Sequence, residues 1–213
     1  MSCPPRLILG LVLALALNQR FRGRKWYRLA YFVPITMSEA VMAITWKFMF
    51  HPTFGVISAI TNLLGFRVNW LTDRHTAMAA MSVAVIWSQL PLYIVLYLAA
   101  LQDIPEQYYE AAKVDGASPL AMFLHITLPV LKPTHAFAIT MSILASMKVF
   151  SPFFMITRGG PAGATNVLGL FAYDNAFKFL RMGYASAVAV VMFLFMLVMT
   201  VTMQRRMFQI DGA

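Results

Sequence analysis

The sequence predicts an all-α, polytopic membrane helical bundle, and three observations carry that prediction. Hydrophobic residues make up 60% of the 213 positions and charged residues only 12%, with a mean hydropathy of +0.70. A water-soluble domain of that composition would expose far too much apolar surface. The apolar residues are gathered into long runs, and basic residues gather at the ends of those runs, as the positive-inside tendency of membrane proteins requires.

Four runs, 29–50, 76–101, 134–156 and 184–203, are each long enough to cross about 30 Å of hydrocarbon at about 1.5 Å per residue. A fifth, 7–17, would extend only roughly 16 Å, half a crossing. It reads as the end of a span whose beginning is missing, so the native reading frame is expected to extend upstream or the chain to be a fragment. Arg6 before this run and Ala14-Leu15-Ala16 at its end imitate a signal peptide. Arg20, Arg22, Arg24, Lys25 and Arg28 follow directly and argue for retention in the cytoplasm. With that cluster inside, residues 51–75 and 157–183 lie outside, and 102–133 and Arg205-Arg206 inside, leaving 207–213 as a cytoplasmic tail. The formal net charge of +9 then reports topology and lipid headgroups, and implies no nucleic acid.

Soluble chemistry finds no foothold. Cys3 is the single cysteine and cannot form an intrachain disulfide; His51, His75, His125 and His135 lack ligand spacing, so no metal site is expected. Gly159-Gly160-Pro161 lacks the lysine of a phosphate-binding loop, and no nucleophile–base constellation is present, which reads as a chain that is not an enzyme.

The polar island between the second and third long runs reads as a bent helical pair. Asp103 and Glu106 have capping-box spacing, with Pro105 in the first turn, so a helix should start near Ile104. Gly116 is placed to close it in a left-handed conformation, and Ser118-Pro119 supplies a second N-cap and an N1 proline. Leu120, Phe123 and Leu124 then share one side of the restarted helix. By sequence physics alone that element can lie on the membrane surface or dock into a protein groove.

Residues 110–129, EAAKVDGASPLAMFLHITLP, resemble the EAA loop of bacterial binding-protein-dependent ABC importers. Trp46-Lys47-Phe48-Met49-Phe50, His51-Pro52-x-Phe54-Gly55, Asn69-Trp70-Leu71 and Gly159-Gly160-Pro161-x-x-Ala164-Thr165 are similar to the carbohydrate-type permeases of that superfamily, those for maltose, lactose and glycerol-3-phosphate. The chain departs from them in its missing first span and in Glu39, where an uncharged residue is expected.

The resemblance implies a type I ABC importer transmembrane domain over residues 1–206, multi-pass in the bacterial inner membrane, and it decides for docking. Glu110, Ala111, Ala112, Asp115, Gly116, Leu120 and Phe123 would face an ABC ATPase. ATP and magnesium would be bound by that ATPase dimer and no cofactor by this chain. A second permease, in a heterodimer, and an extracytoplasmic solute-binding protein complete the implied partners, with a sugar or sugar-like solute as cargo.

Polar groups inside the spans are the remaining clues. Glu39, Lys47 and Lys148 would each be costly facing lipid and should face a cavity, a partner or the interface. Lys47 can snorkel to the outer surface, and Glu39 is a counter-ion candidate for Lys148 by depth. Ser142 and Ser146 share a face with Ala145 and Val149, while Ser88 and Gln89 precede Pro91 in the span leading to the island. In the resembled permeases the sugar sits between these two spans, which makes Ser88, Gln89, Ser142 and Ser146 the candidate substrate contacts. Residues 54–65 and 167–179 read as interfacial helices or a platform for the binding protein, and Trp46, Trp70 and Tyr184 as a headgroup belt. The competing class is an ion-coupled secondary transporter or channel, with its coupling ions among Glu39, Lys47 and Lys148. Such a carrier has no need of an EAA loop.

Overall fold

The computed structural model describes residues 3–19 and 24–211, with the side chains of 24, 25, 28, 30 and 206–211 outside the description. Arg20 and Arg22, and the side chains of Arg24, Lys25, Arg28 and Arg206, therefore lie outside the description. Every regular element among those residues is helical.

Helix α1 (Cys3–Asn18) buries one stripe, Arg6, Gly10, Ala14 and Leu17, at the three- and four-residue steps of a single helix face. That stripe packs on α5 (Arg74–Gln102), the central span, capped at its start by Asp73, which accepts from the His75 amide. A Cβ added to Gly10 would come within 2.8 Å of Tyr93 Cβ. Arg6 hydrogen-bonds Gln89, so a four-residue step along α1 matches a four-residue step along α5, and the two helices run parallel. Ala14, Tyr93, Tyr97, Leu101 and Leu131 form one core at this seam.

The run at 29–50 is not one helix. It divides into α2 (Arg24–Thr36) and α3 (Glu39–Met49). Pro34 lies near the end of the first, and Ser38 caps the second by accepting from the Val41 amide at 3.3 Å, so the chain has both a helix terminator and a fresh start within five residues. Trp46 is not at a surface belt: it is 6% exposed, edge-on to Trp87 at 5.6 Å and tilted against Phe50 at 5.3 Å, in a second core with Met81, Phe153 and Leu170. Trp70 is half-buried against Phe50 at 5.9 Å; Tyr184 is exposed. Burying an indole against aromatic neighbours removes more apolar area from water than an interfacial position would.

After the turn where His51 stacks on Phe54 at 3.6 Å, the short helix α4 (Val56–Leu63) presents Val56, Ile60 and Leu63 outward. Among the described residues three helices are long and apolar enough to cross a membrane: α5, the stretch Lys132–Ile156, and Met182–Arg205 within α12 (Met182–Asp211). The middle one is interrupted near its end into α9 (Lys132–Lys148) and α10 (Ser151–Ile156). Helix α11 (Leu168–Tyr173) and a widened turn at Asp174–Lys178 lead into α12. Ala185 is buried near the start of α12, but the most apolar 18-residue window of its spanning stretch has no residue buried against the rest of the chain.

Candidate functional site

Two places concentrate polar groups: the segment joining α5 to α9, and a cavity among α2, α3, α5, α9 and α10.

The joining segment begins later than its sequence suggests. Asp103 ends α5 instead of capping the next helix, and α6 (Glu106–Val114) starts behind Pro105 with no side-chain cap. The Asp103 amide is already committed to the Ala99 carbonyl at 3.1 Å, which keeps that residue in the preceding helix. The far end matches expectation. Gly116 has φ +74°, its amide donates to the Lys113 carbonyl at 3.1 Å and that of Ala117 to the Ala112 carbonyl at 2.9 Å. This is a Schellman closure, which needs a left-handed residue where glycine stands. Ser118 accepts from the Ala121 amide at 3.2 Å and opens α7 (Pro119–Met122).

Beyond α7 the helix widens into a π-type turn, Phe123–Thr127, before α8 (Leu128–Val130). Tyr109 on α6 and the buried Thr127 share a hydrogen bond of 2.8 Å, which pins the two arms of the bend together. Glu110, Ala111, Asp115, Gly116 and Leu120 are exposed, with Ala112 and Phe123 half-buried. Val114 is 87% and Leu120 67% exposed, an apolar pair at the bend with no cover from the chain's own core.

The cavity, of about 350 Å³, is lined by Met37, Glu39, Ser88, Gln89, Lys148 and Val149, among others. Its size falls in the usual range of small-ligand sites, about 300–1,000 Å³. The break between α2 and α3 puts Glu39 on its wall, and the end of α9 puts Lys148 there. The two charges share the cavity, and among the described residues no ion pair joins them. Ser88 lines it too, with its hydroxyl donating to the Val85 carbonyl at 3.0 Å.

Ser142 and Ser146 do not stand with Ala145 and Val149 on one wall. Ala145 and Val149 line the cavity, whereas both serines face α1 and accept from Arg6 Nη2 at 2.8 Å each. Arg6 also bonds the Ser142 carbonyl at 3.0 Å and Gln89 Oε1, and its guanidinium lies 5.2 Å from the Tyr93 ring centre. Arg6 is 0% exposed. It belongs to the core of the bundle, a role that the sequence reading missed. The signal was there: Arg6, Gly10 and Ala14 recur every four residues, a small-residue stripe headed by an arginine. A cation at such depth costs about 2.5–3.5 kcal/mol on an insertion scale, and hydrogen bonds to acceptors on two helices, α5 and α9, offset that.

Residues 6–206 match the family model described as binding-protein-dependent transport system inner membrane component. The chain belongs to that family. It is 37% identical over 195 residues to the trehalose/maltose transport system permease protein of Thermococcus litoralis, covering 91% of this chain and 66% of that protein. It is 36% identical over 193 residues to the sulfoquinovosyl glycerol transport system permease protein of Agrobacterium fabrum, covering 90% and 63%. The chain thus spans just under two thirds of the length of these curated relatives. Its fold matches a chain of the bacterial alginate ABC transporter, solved with an alginate pentasaccharide-bound periplasmic protein, with a TM-score of 0.85 at 24% identity over 95% of this chain and 72% of that one. Family membership makes this chain an inner-membrane component of a transport system, and its membrane-length apolar helices make it multi-pass.

Proposed function

We propose that this chain is one permease subunit, forming half of the translocation pathway of an ATP-driven importer for a sugar or sugar-like solute. Separate ATPase subunits drive it through the segment 102–133, with Glu110, Ala111, Ala112, Asp115, Gly116, Leu120 and Phe123 at the contact. The single observation that carries this reading is the pinned bend between α6 and α7. A rigid, exposed helical pair with an uncovered apolar edge sits between two spanning helices, one of which, α5, carries Ser88 and Gln89 on the cavity wall. A push on the bend is transmitted to that wall as rigid-body motion of packed helices, the usual way in which two-state membrane machines move.

Partner subunits follow from the same reading. The largely exposed spanning stretch of α12 suits lipid or a second permease, and an extracytoplasmic binding protein delivers the solute. The cavity is where the solute passes, with Ser88 and Gln89 as direct contacts and Ser142 and Ser146 acting behind them through Arg6. The relatives' names include trehalose, maltose and sulfoquinovosyl glycerol, so the carbohydrate class is supported while the particular sugar is open. Uptake by a strain lacking this gene, over a panel of mono- and disaccharides and glycerol-3-phosphate, tests the reading. Loss of one uptake activity, restored by the gene and abolished by blocking ATP hydrolysis, is expected. Uptake that persisted without ATP and followed an ion gradient would overturn it in favour of a secondary carrier.

A further inference from the structure

Every group that touches the Arg6 guanidinium is neutral: the Gln89 side-chain oxygen, the Ser142 carbonyl and hydroxyl, the Ser146 hydroxyl and the Tyr93 ring. Its Nε has no hydrogen-bond partner among the described residues. Neutral acceptors satisfy the geometry of a guanidinium but leave its net charge standing, and in a low-dielectric interior that charge is weakly screened. Gln89 connects the buried cation to the cavity, since it accepts from Arg6 and lines the wall. The cavity itself holds Lys148 and Glu39. Two cations, Arg6 and Lys148, stand against one carboxylate, Glu39, which leaves the site with one formal positive charge in excess.

Resting on the reading of this cavity as the carbohydrate pathway, we infer that it selects a carbohydrate carrying a negative charge. A carboxylate, sulfonate or phosphate would meet Lys148 directly. Arg6 is then a positioning and specificity-determining residue: it fixes the Gln89 amide so that its NH2 end, and not its oxygen, is left to donate toward the solute, and it supplies a field that a neutral sugar cannot use. Locking the amide orientation matters because an Asn or Gln presents an acceptor or two donors depending on which way it is turned. With the oxygen held by Arg6, the cavity loses an acceptor that would suit a sugar hydroxyl and keeps donors that suit an anion.

The test is equilibrium binding to the assembled membrane complex, permeases and ATPase together in nanodiscs, with the soluble binding protein left out so that its own selectivity does not intervene. The probes are neutral mono- and disaccharides matched to their uronate and 6-phosphate counterparts. For the wild type the anionic member of each pair is expected to bind at least about tenfold more tightly, a preference weakened by added salt. Arg6→Gln and Lys148→Gln should each bring the pair to within about threefold, while Arg6→Lys, which keeps the charge and loses the fork, should retain most of the preference. The wild-type ratio decides the matter even where an Arg6 variant fails to assemble. Equal or tighter binding of the neutral sugars would overturn the charge inference and leave a sugar importer standing. Failure of a complex that hydrolyses ATP to bind any member of the panel would overturn the carbohydrate reading of the cavity, and this inference with it.

Discussion

Tyr109 and Thr127 are 18 residues apart in sequence, and their hydroxyls meet at 2.8 Å across the bend that Gly116 makes possible. Thr127 is 4% exposed, so removing its partner strands a buried hydroxyl. Tyr109→Phe should therefore destabilise the protein by about 1–3 kcal/mol, whereas adding Thr127→Val to it should recover much of the loss. Thermal unfolding of the purified complex in detergent, run as a double-mutant cycle, checks this. A double variant no better than Tyr109→Phe would mean that the bond does not hold the two arms together.

Replacing Gly116 separates shape from contact. A Cβ there meets nothing within 4 Å, so any penalty comes from the positive φ alone, about 1–3 kcal/mol and largest for a β-branched residue. Gly116→Val should leave the spans inserted but abolish uptake by detaching or uncoupling the ATPase, and Gly116→Ala should fall between it and the wild type. ATP hydrolysis with and without loaded binding protein, measured beside uptake, gives the readout. Full stimulated hydrolysis and normal uptake in Gly116→Val would remove the bend from the coupling path.

At Gly10 the constraint is space and not conformation. An added methyl would sit 2.8 Å from Tyr93 Cβ, too close for two carbons, so α1 must shift from α5. Gly10→Ala should lower stability by about 1–3 kcal/mol, as overpacking does, and Gly10→Val by more. Thermal midpoints of the detergent-solubilised complex test it; an unchanged midpoint in Gly10→Val would show that the seam yields at no cost.

Sidedness can be read chemically. Thr72 and Ser118 are both exposed, at opposite ends of the long helix α5. A membrane-impermeant maleimide applied to whole cells carrying the Cys3→Ser background should label Thr72→Cys and spare Ser118→Cys. The opposite pattern would invert the topology and remove the bend from the ATPase side.

What the sequence made legible was local. Gly116, Ser118 and Pro119 act on their own few residues of backbone, so their spacing was enough to place the turn and the second cap. The four long apolar runs were visible for the same reason, except that averaging hydropathy over 29–50 concealed Pro34 and the Ser38-Glu39 start, which divide it. Asp103 was misread because the spacing of a capping box does not say whether the residue's own amide is already used by the helix before it. Trp46 was misread because an aromatic near a span end looks the same whether it faces headgroups or a neighbouring helix. For Arg6 the sequence showed only the stripe that it heads: its partners lie 83 to 140 positions away, and only the packing of α1 between α5 and α9 brings them to it.

The matched four-residue steps that join Arg6 to Gln89 and Gly10 to Tyr93 settle a question of compass. Two helices in parallel register leave the bundle at the same pole, so Asn18, where α1 ends, and Gln102, where α5 ends, point the same way. The end of α1 and the pinned bend that follows Gln102 therefore lie toward the same pole of the bundle. If an ATPase lands on that bend, it does so at the pole where α1 ends, so the first described helix and the coupling surface share an address.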